Sequence, residues 1–144
     1  MTRKRQIKLL GPTDADFLNN VARDVFDDPI VAPSVQEFLA DRRHRLMVAL
    51  DNDLVVGFVS AVIYLHPDKP APELWINEIG VAPTHQRQGI GKALLRAMLD
   101  HAKESGCTEA WVLTERTNPA AMNLYKTAGG VETVPDSIMF TFTL

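Results

Sequence analysis

The chain has 144 residues, of which 46% are hydrophobic and 23% charged, and its formal net charge at pH 7 is −3. This size is typical of one domain, so we expect residues 1–144 to fold as a single unit. The acidic balance argues against a nucleic-acid binder, and no window approaches the ~18 apolar residues of a transmembrane helix. The single cysteine, Cys107, excludes an intramolecular disulfide and a cysteine metal cluster and is expected to be a buried, inert thiol. We therefore expect a cytoplasmic protein without nucleic-acid or membrane partners.

The first half of the chain predicts one strand, two helices and a hairpin. Thr13 is a good N-cap, and the apolar residues that follow it have the spacing of an amphipathic helix. The dipeptide Asp28-Pro29 should break that helix, and Ser34 should cap the next one. The predicted elements are a strand at 6–10, a helix from Thr13 to about Asp27, a helix that follows Ser34, and strands at 44–50 and 55–65 joined by a turn at 51–53.

The second half alternates strands with helices. Three prolines make 66–73 a loop, and apolar residues recur at helical spacing between Gln88 and Ser105. Asn118 followed by Pro119 is a strong helix start, and Gly129 is a typical helix end. The predicted elements are strands at 74–81 and 109–114, helices at 88–105 and from Asn118 through Tyr125, and a terminal hairpin of strands at 131–134 and 137–143.

This order, βααβββαβαββ, predicts the α/β class (α+β in another naming), with a mixed, mostly antiparallel central sheet flanked by helices. The middle strands form an antiparallel meander, whereas a helix between later strands implies a parallel pair. His66, His85 and His101 have no partners at ligand spacing, so no metal site is expected. Trp75 and Trp111 are interpreted as packing residues.

The stretch HQRQGIGKALL, from His85 to Leu95, places Gly89 and Gly91 at the start of a helix. Because glycine costs backbone entropy there, the pattern indicates a close approach to the backbone. The free N–H groups and the dipole of a helix start favour an anion, and Arg87 and Lys92 can add positive charge. A diphosphate is therefore the predicted ligand, with close helix–sheet packing as the alternative. The spacing fits neither a P-loop nor a dinucleotide fingerprint.

Residues 86–91, Gln-Arg-Gln-Gly-Ile-Gly, match the signature R/Q-x-x-G-x-G/A, and the chain resembles the GNAT superfamily of N-acetyltransferases. The strand before this loop and the helix that begins at Asn118 are also similar to family elements. One departure is Gly130, where the family usually has a bulky residue. The resemblance implies an acetyl-CoA site with contacts from Ile79, Val81, Gln86, Arg87, Gln88, Gly89, Ile90, Gly91, Lys92, Asn118, Ala121 and Tyr125.

The resemblance also implies how the cofactor is used. Asn118 would hydrogen-bond the pantetheine arm, and Tyr125, two helical turns later, would protonate the departing thiolate, unless it is only a core tyrosine. Ile79 and Val81 would offer backbone groups to the cofactor. Gly80, between them, could mark a β-bulge that opens the sheet.

Glu78, on the same strand, would act as a base, directly or through a water, or would hold a cationic substrate; a structural ion pair is the alternative. The chain length, the proline-rich loop and Gln88-Gly89-Ile90 are most similar to the type I aminoglycoside 3-N-acetyltransferases. That resemblance implies an aminoglycoside 3-amino group as acceptor and antibiotic resistance as the outcome. Alternatives are a polyamine, an amino acid, a peptide or protein amine, or a non-catalytic acyl-CoA-binding module. A homodimer through the late strands is compatible with the pattern. The expected contacts to a small cationic amine are Asp27, Asp28, Glu78, Glu115 and Asp136.

Overall fold

The structure is a computed structural model that describes residues 4–144. Residues up to Leu113 form one compact unit, and Thr114–Leu144 form a second. The first unit contains β1 (Arg5–Leu9), α1 (Ala32–Ala40), β2 (His44–Asp51), β3 (Leu54–Tyr64), β4 (Glu73–Val81), α2 (Ile90–Glu104) and β5 (Glu109–Val112), with short 3₁₀ turns at Ala15–Asn19 and Pro83–His85. The second unit contains α3 (Pro119–Thr127).

Five strands form one sheet in the order β1-β2-β3-β4-β5. The first four strands pair antiparallel, and β5 pairs parallel to β4. A parallel pair requires a crossover, which α2 supplies. The predicted mixed, mostly antiparallel sheet with flanking helices is confirmed.

The core of the first unit lies between the sheet and α2. Gly57 of β3 faces this helix so closely that a Cβ atom there would lie 3.1 Å from Leu94 Cδ1. The apolar face predicted for this helix is confirmed, because Ile90, Leu94, Leu95, Met98 and Ala102 are all buried. Cys107, which follows α2, is a buried free thiol as expected, and burial raises its pKa.

A β-bulge interrupts β4 at Asn77. Ser60 of β3 pairs with Glu78, but the next residue of β3, Ala61, pairs with Ile76. Asn77 is therefore the extra residue that β3 does not match, as in a β-bulge. The prediction of a bulge in this strand is correct in kind but wrong in position.

Gly80, where the bulge was expected, pairs regularly with Phe58. It is glycine for another reason: a Cβ atom there would lie 2.5 Å from the carbonyl oxygen of Val25 and 2.7 Å from Phe58 Cε1. The chain that follows the first 3₁₀ turn thus crosses this face of the sheet in direct contact with β4. Phe26 completes the contact, since its ring stacks on Phe58 with 4.1 Å between centroids.

The first predicted helix is wrong beyond its first turn. Only Ala15–Asn19 is helical, as a 3₁₀ turn. The backbone then pairs with β3 instead of continuing the helix: Val55 N–H donates to the Asn20 carbonyl at 2.9 Å, and Ala22 N–H donates to the Val55 carbonyl at 2.8 Å. Asp24, with φ of 61°, turns the chain again. A long-range backbone pairing has overridden the local helical pattern.

Two helix boundaries also differ from the prediction. The helix α1 begins at Ala32, and Ser34 lies within it, because Pro33 occupies the first turn, where its missing N–H costs nothing. The helix α2 begins at Ile90 and not at Gln88, because Gly89 adopts a left-handed conformation and acts as its N-cap.

The predicted terminal hairpin at 131–134 and 137–143 is absent from the described residues. The chain does turn there, since Ser137 N–H donates to the Val134 carbonyl at 3.3 Å, but neither side forms a strand. A strand needs a ladder partner, and the side chains along this segment are exposed, as Phe140 (75%) and Phe142 (82%) illustrate. The prediction of two terminal strands from the apolar alternation is therefore wrong.

Candidate functional site

The start of α2 is open to a ligand. Gly89 has φ of +79°, and a Cβ atom built on it would meet nothing within 4 Å. No side chain caps this helix, so the first backbone N–H groups of α2 have no side-chain acceptor and can donate to a ligand. Gly89 is therefore not explained by helix–sheet packing. An anion could reach the backbone at this point.

The loop before Gly89 supplies positive charge and a fixed backbone. Arg87 has φ of 62°, a left-handed conformation that is uncommon outside glycine. Gln86 Nε2 donates to the Val81 carbonyl at 3.2 Å, which ties the loop to the end of β4. The side chains of Arg87 and Lys92 are exposed. Two cations beside a helix N-terminus suit a diphosphate, which is the group that acetyl-CoA would place there.

Arg5 joins this loop from the other end of the sequence. Its guanidinium donates a hydrogen bond to Gln88 Oε1, and both residues line a cavity of about 210 Å³ that also includes Gly89 and Ile90. The sequence contains no signal for this contact, because it depends on which strand lies beside α2.

A buried histidine holds the turn that precedes the loop. His85 Nε2 lies 2.8 Å from Asp51 Oδ2, at the end of β2, and His85 Nδ1 lies 2.7 Å from Thr84 Oγ1. His85 and Asp51 are only 8% and 9% exposed. The interaction anchors the 3₁₀ turn Pro83–His85 and thus the loop after it. Its one sequence signal is that His85 directly precedes the glycine motif.

Glu78 is exposed and lies at the bulge of β4. It is two residues from Gly80 and therefore points to the same face of the sheet, which the segment after Val25 crosses. Asp27 and Asp28 are exposed in that segment. Glu78 takes part in no ion pair with any residue from 4 to 144, which argues against the structural alternative for this carboxylate. Ile79 and Val81 are half-buried.

In the second unit, Asn118 is the N-cap of α3, as predicted. Its Oδ1 accepts from Ala121 N–H at 3.1 Å, which leaves the side-chain NH₂ as a donor. Tyr125 is half-buried, and burial raises the pKa of its phenol above the ordinary value of 10.0. A neutral phenol near neutral pH is the form that can donate a proton.

The position of Gly130 at the end of α3 leaves no room for a side chain, which explains why this chain departs from the family pattern there. A Cβ atom there would lie 2.8 Å from the Tyr125 carbonyl oxygen, which itself accepts from Gly130 N–H at 2.9 Å. A bulky residue cannot take this backbone position without moving the end of α3. Glu115 and Asp136 are exposed in the same unit.

Residues 15–129 match the model of the acetyltransferase (GNAT) family. The chain belongs to the GNAT acetyltransferase family. Acetyl-CoA is the acetyl donor of this family, and the glycine loop described above fits its diphosphate. The superfamily resemblance of the sequence is thereby confirmed.

Several relatives share about a third of the aligned residues. The chain is 35% identical over 104 residues to streptothricin acetyltransferase of Streptomyces lavendulae, covering 72% of this chain and 52% of that protein. It is 30% identical over 99 residues to N-acetyltransferase 8 of Rattus norvegicus, covering 69% of this chain and 45% of that protein. The chain thus spans about half the length of these relatives.

Solved structures share the fold at lower identity. An aminoglycoside acetyltransferase from an uncultured soil metagenomic sample, in complex with sisomicin, superposes with a TM-score of 0.84 at 23% identity, covering 97% of this chain and 96% of that one. An aminoglycoside N-acetyltransferase, AAC(6')-Iy, in complex with CoA gives a TM-score of 0.77 at 18% identity, covering 99% and 97%. Within residues 4–144, none of the helices has the length and apolar character needed to cross a membrane.

Proposed function

We propose that this chain is an acetyl-CoA-dependent N-acetyltransferase that modifies a small cationic amine, specifically the 3-amino group of an aminoglycoside. The observation that carries the proposal is that two different kinds of site lie at the two ends of the segment from Glu78 to Gly89. The segment begins at the exposed carboxylate of Glu78, beside the β4 bulge, and ends at the uncapped, glycine-opened start of α2. One end suits an ammonium group and the other suits a diphosphate.

The cofactor site is built from the residues of the glycine loop. Backbone N–H groups from Gly89 to Lys92 hold the diphosphate, and the side chains of Arg87 and Lys92 neutralise part of its charge. Ile79 and Val81 offer backbone groups to the pantetheine arm, with Asn118 donating from its side-chain amide. Acetyl-CoA supplies an acetyl group activated as a thioester.

Glu78 prepares the amine. An ammonium group cannot attack a carbonyl carbon, so it must first lose a proton, and the Glu78 carboxylate accepts that proton directly or through a water. The free amine then forms the N–C bond of the amide as the C–S bond breaks. The aspartates of the 25–28 segment hold the remaining ammonium groups of a polycationic acceptor.

Tyr125 completes the proton balance. Its neutral phenol donates a proton to the departing sulfur and is restored from solvent. Burial raises the pKa of this phenol, which keeps it protonated at the pH where the amine is prepared. Two observations support an aminoglycoside as the acceptor. One is the similarity to streptothricin acetyltransferase, and the other is that Asp27 and Asp28 are exposed in the segment that crosses the same face of the sheet as Glu78.

The test is release of the free thiol of CoA from acetyl-CoA in the presence of gentamicin, sisomicin, kanamycin, spermidine or a lysine peptide. We expect rapid turnover with gentamicin and sisomicin, with the product acetylated at the 3-amino group by NMR. Turnover only with spermidine or the peptide would keep the chemistry and reject the antibiotic acceptor. Bound acetyl-CoA without turnover on any amine would favour an acyl-CoA-binding module.

The matched variant is Glu78→Gln, which keeps the size and hydrogen-bonding capacity of the side chain but removes its charge. We expect a loss of kcat/KM for the amine of about a hundredfold, in the range of general-base contributions, with acetyl-CoA binding unchanged. Retention of full activity would remove Glu78 from the mechanism.

A further inference from the structure

The two tryptophans of the chain form a partly exposed pair on the sheet. Trp75 of β4 pairs with Trp111 of β5, and their rings stack with 5.3 Å between centroids and 8° between planes. Trp75 is 36% exposed. We call this stacked pair, Trp75 and Trp111, the tryptophan platform, and more than a third of the Trp75 surface is open to a ligand.

Tyr64 of β3, on the same face of the sheet, holds Trp111 in place. Trp111 Nε1 donates a hydrogen bond to the Tyr64 hydroxyl, and the two rings meet edge to face at 90°. Lys69, in the loop before β4, forms an ion pair with Glu73, the first residue of β4, with 3.3 Å between Nζ and Oε2. The pairing partly neutralises Lys69, which would otherwise repel a cationic ligand. The hydrogen bond and the edge-to-face contact with Tyr64 orient the Trp111 ring before any ligand binds.

The bulge at Asn77 brings Glu78 to the same face as the platform. In a regular strand, residues three apart point to opposite faces. Here Trp75 pairs with Val62 and Glu78 pairs with Ser60, and these two partners are two residues apart on β3. Directly opposed residues share a face, so Trp75 and Glu78 point the same way, with their Cα atoms about 7 Å apart.

An aromatic face and a carboxylate on one face of a sheet form a site for a particular ligand class. The carboxylate attracts an ammonium group, and the indole face attracts a cation and accepts the C–H face of a sugar ring. The spacing suits a ring that carries an amine at its edge. We propose that the tryptophan platform is the acceptor subsite, where one ring of an amino sugar stacks on Trp75 while its amine meets Glu78. This inference rests on the proposed function and names the part of the site that selects ring-bearing amines over linear ones.

Fluorescence tests the platform directly, because Trp75 and Trp111 are the only tryptophans in the chain. Sisomicin and, as a linear polyamine, spermidine are titrated into the protein in the presence of CoA, which cannot acetylate them. We expect saturable change in tryptophan emission with sisomicin and a much weaker response with spermidine. Emission that stays constant at sisomicin concentrations that saturate turnover would overturn the proposal.

Kinetics with two variants separate stacking from folding. Trp75→Leu removes the π face and Trp75→Phe keeps one, while Leu65→Ala, an 80% exposed apolar residue just after β3, is the control. We expect Trp75→Leu to raise the KM for sisomicin about tenfold, Trp75→Phe to raise it less, and neither to change the KM for acetyl-CoA. An unchanged sisomicin KM in Trp75→Leu, or a parallel rise in both KM values, would overturn the subsite.

Failure of the subsite and failure of the proposed function are distinguishable. If the wild type acetylates sisomicin and the Trp75 variants keep its KM, the platform is wrong and the function stands. If no amine is acetylated but sisomicin still changes the emission, the function is wrong and the platform stands. Absence of both turnover and emission change with sisomicin overturns both.

Discussion

Replacement of Gly80 by alanine tests whether the segment after Val25 rests directly on β4. The added Cβ would lie 2.5 Å from the Val25 carbonyl oxygen and 2.7 Å from the Phe58 ring. The first contact is with backbone, which cannot rotate away as a side chain can. The second contact is with the Phe58 ring, which stacks on Phe26 with 4.1 Å between centroids. Moving the Phe58 ring away from the added Cβ would therefore disturb this stacking. We therefore place the cost within the ordinary range for overpacking, at about 2 kcal/mol.

The measurement is the free energy of unfolding from urea denaturation, supported by thermal melts. A loss of about 2 kcal/mol corresponds to a fall in Tm of about 6 °C for a chain of this size. Gly106→Ala is the matched control, since Gly106 has φ of +89° and open space where a Cβ would lie. It should cost about 1 kcal/mol from backbone conformation alone. A Gly80→Ala protein as stable as the wild type, or less affected than Gly106→Ala, would refute the contact.

Two further predictions concern the phosphate loop and the proton donor. Asp51→Ala should lower the free energy of unfolding by about 1–3 kcal/mol, because it removes the carboxylate that lies 2.8 Å from Nε2 of buried His85. Asp51→Asn keeps an oxygen at that position and should lose less; equal losses in urea denaturation would contradict this. Tyr125→Phe should lower kcat at least tenfold while acetyl-CoA still binds by calorimetry. Because burial raises the phenol pKa above its ordinary value of 10.0, the midpoint of the Tyr125-dependent decline of wild-type kcat should lie above pH 10, as the phenol loses its proton. A tyrosine-dependent decline with its midpoint near pH 8 would contradict the assignment.

Features set by neighbours in sequence were predictable. The buried face of α2 follows from residues three and four apart, and the Asn118 cap needs only its own helix. The failures are long-range. The helix expected after Thr13 stops because Asn20 and Ala22 pair with Val55, more than thirty residues away, and no local pattern contains that competition.

The candidate site divides in the same way. The glycine loop is contiguous, so its spacing alone predicts the open position at Gly89. The hydrogen bond of His85 to Asp51 joins residues 34 apart, and the stacking of Trp75 on Trp111 depends on strand order. The local sequence of Trp75 and Trp111 predicts only packing residues, because it does not show that the two rings become neighbours.

The bulge at Asn77 also determines where this chain can change length. Removing that one residue would leave Ile76 opposite Ala61 and Glu78 opposite Ser60, so the pairing would become regular and Glu78 would stay on the face of Trp75. Insertions in the proline-rich 66–72 loop would leave that register intact, because a loop can absorb extra length. We therefore expect natural or laboratory variants of this protein to gain and lose residues readily between β3 and β4, and to tolerate loss of Asn77 better than loss of any other residue of β4.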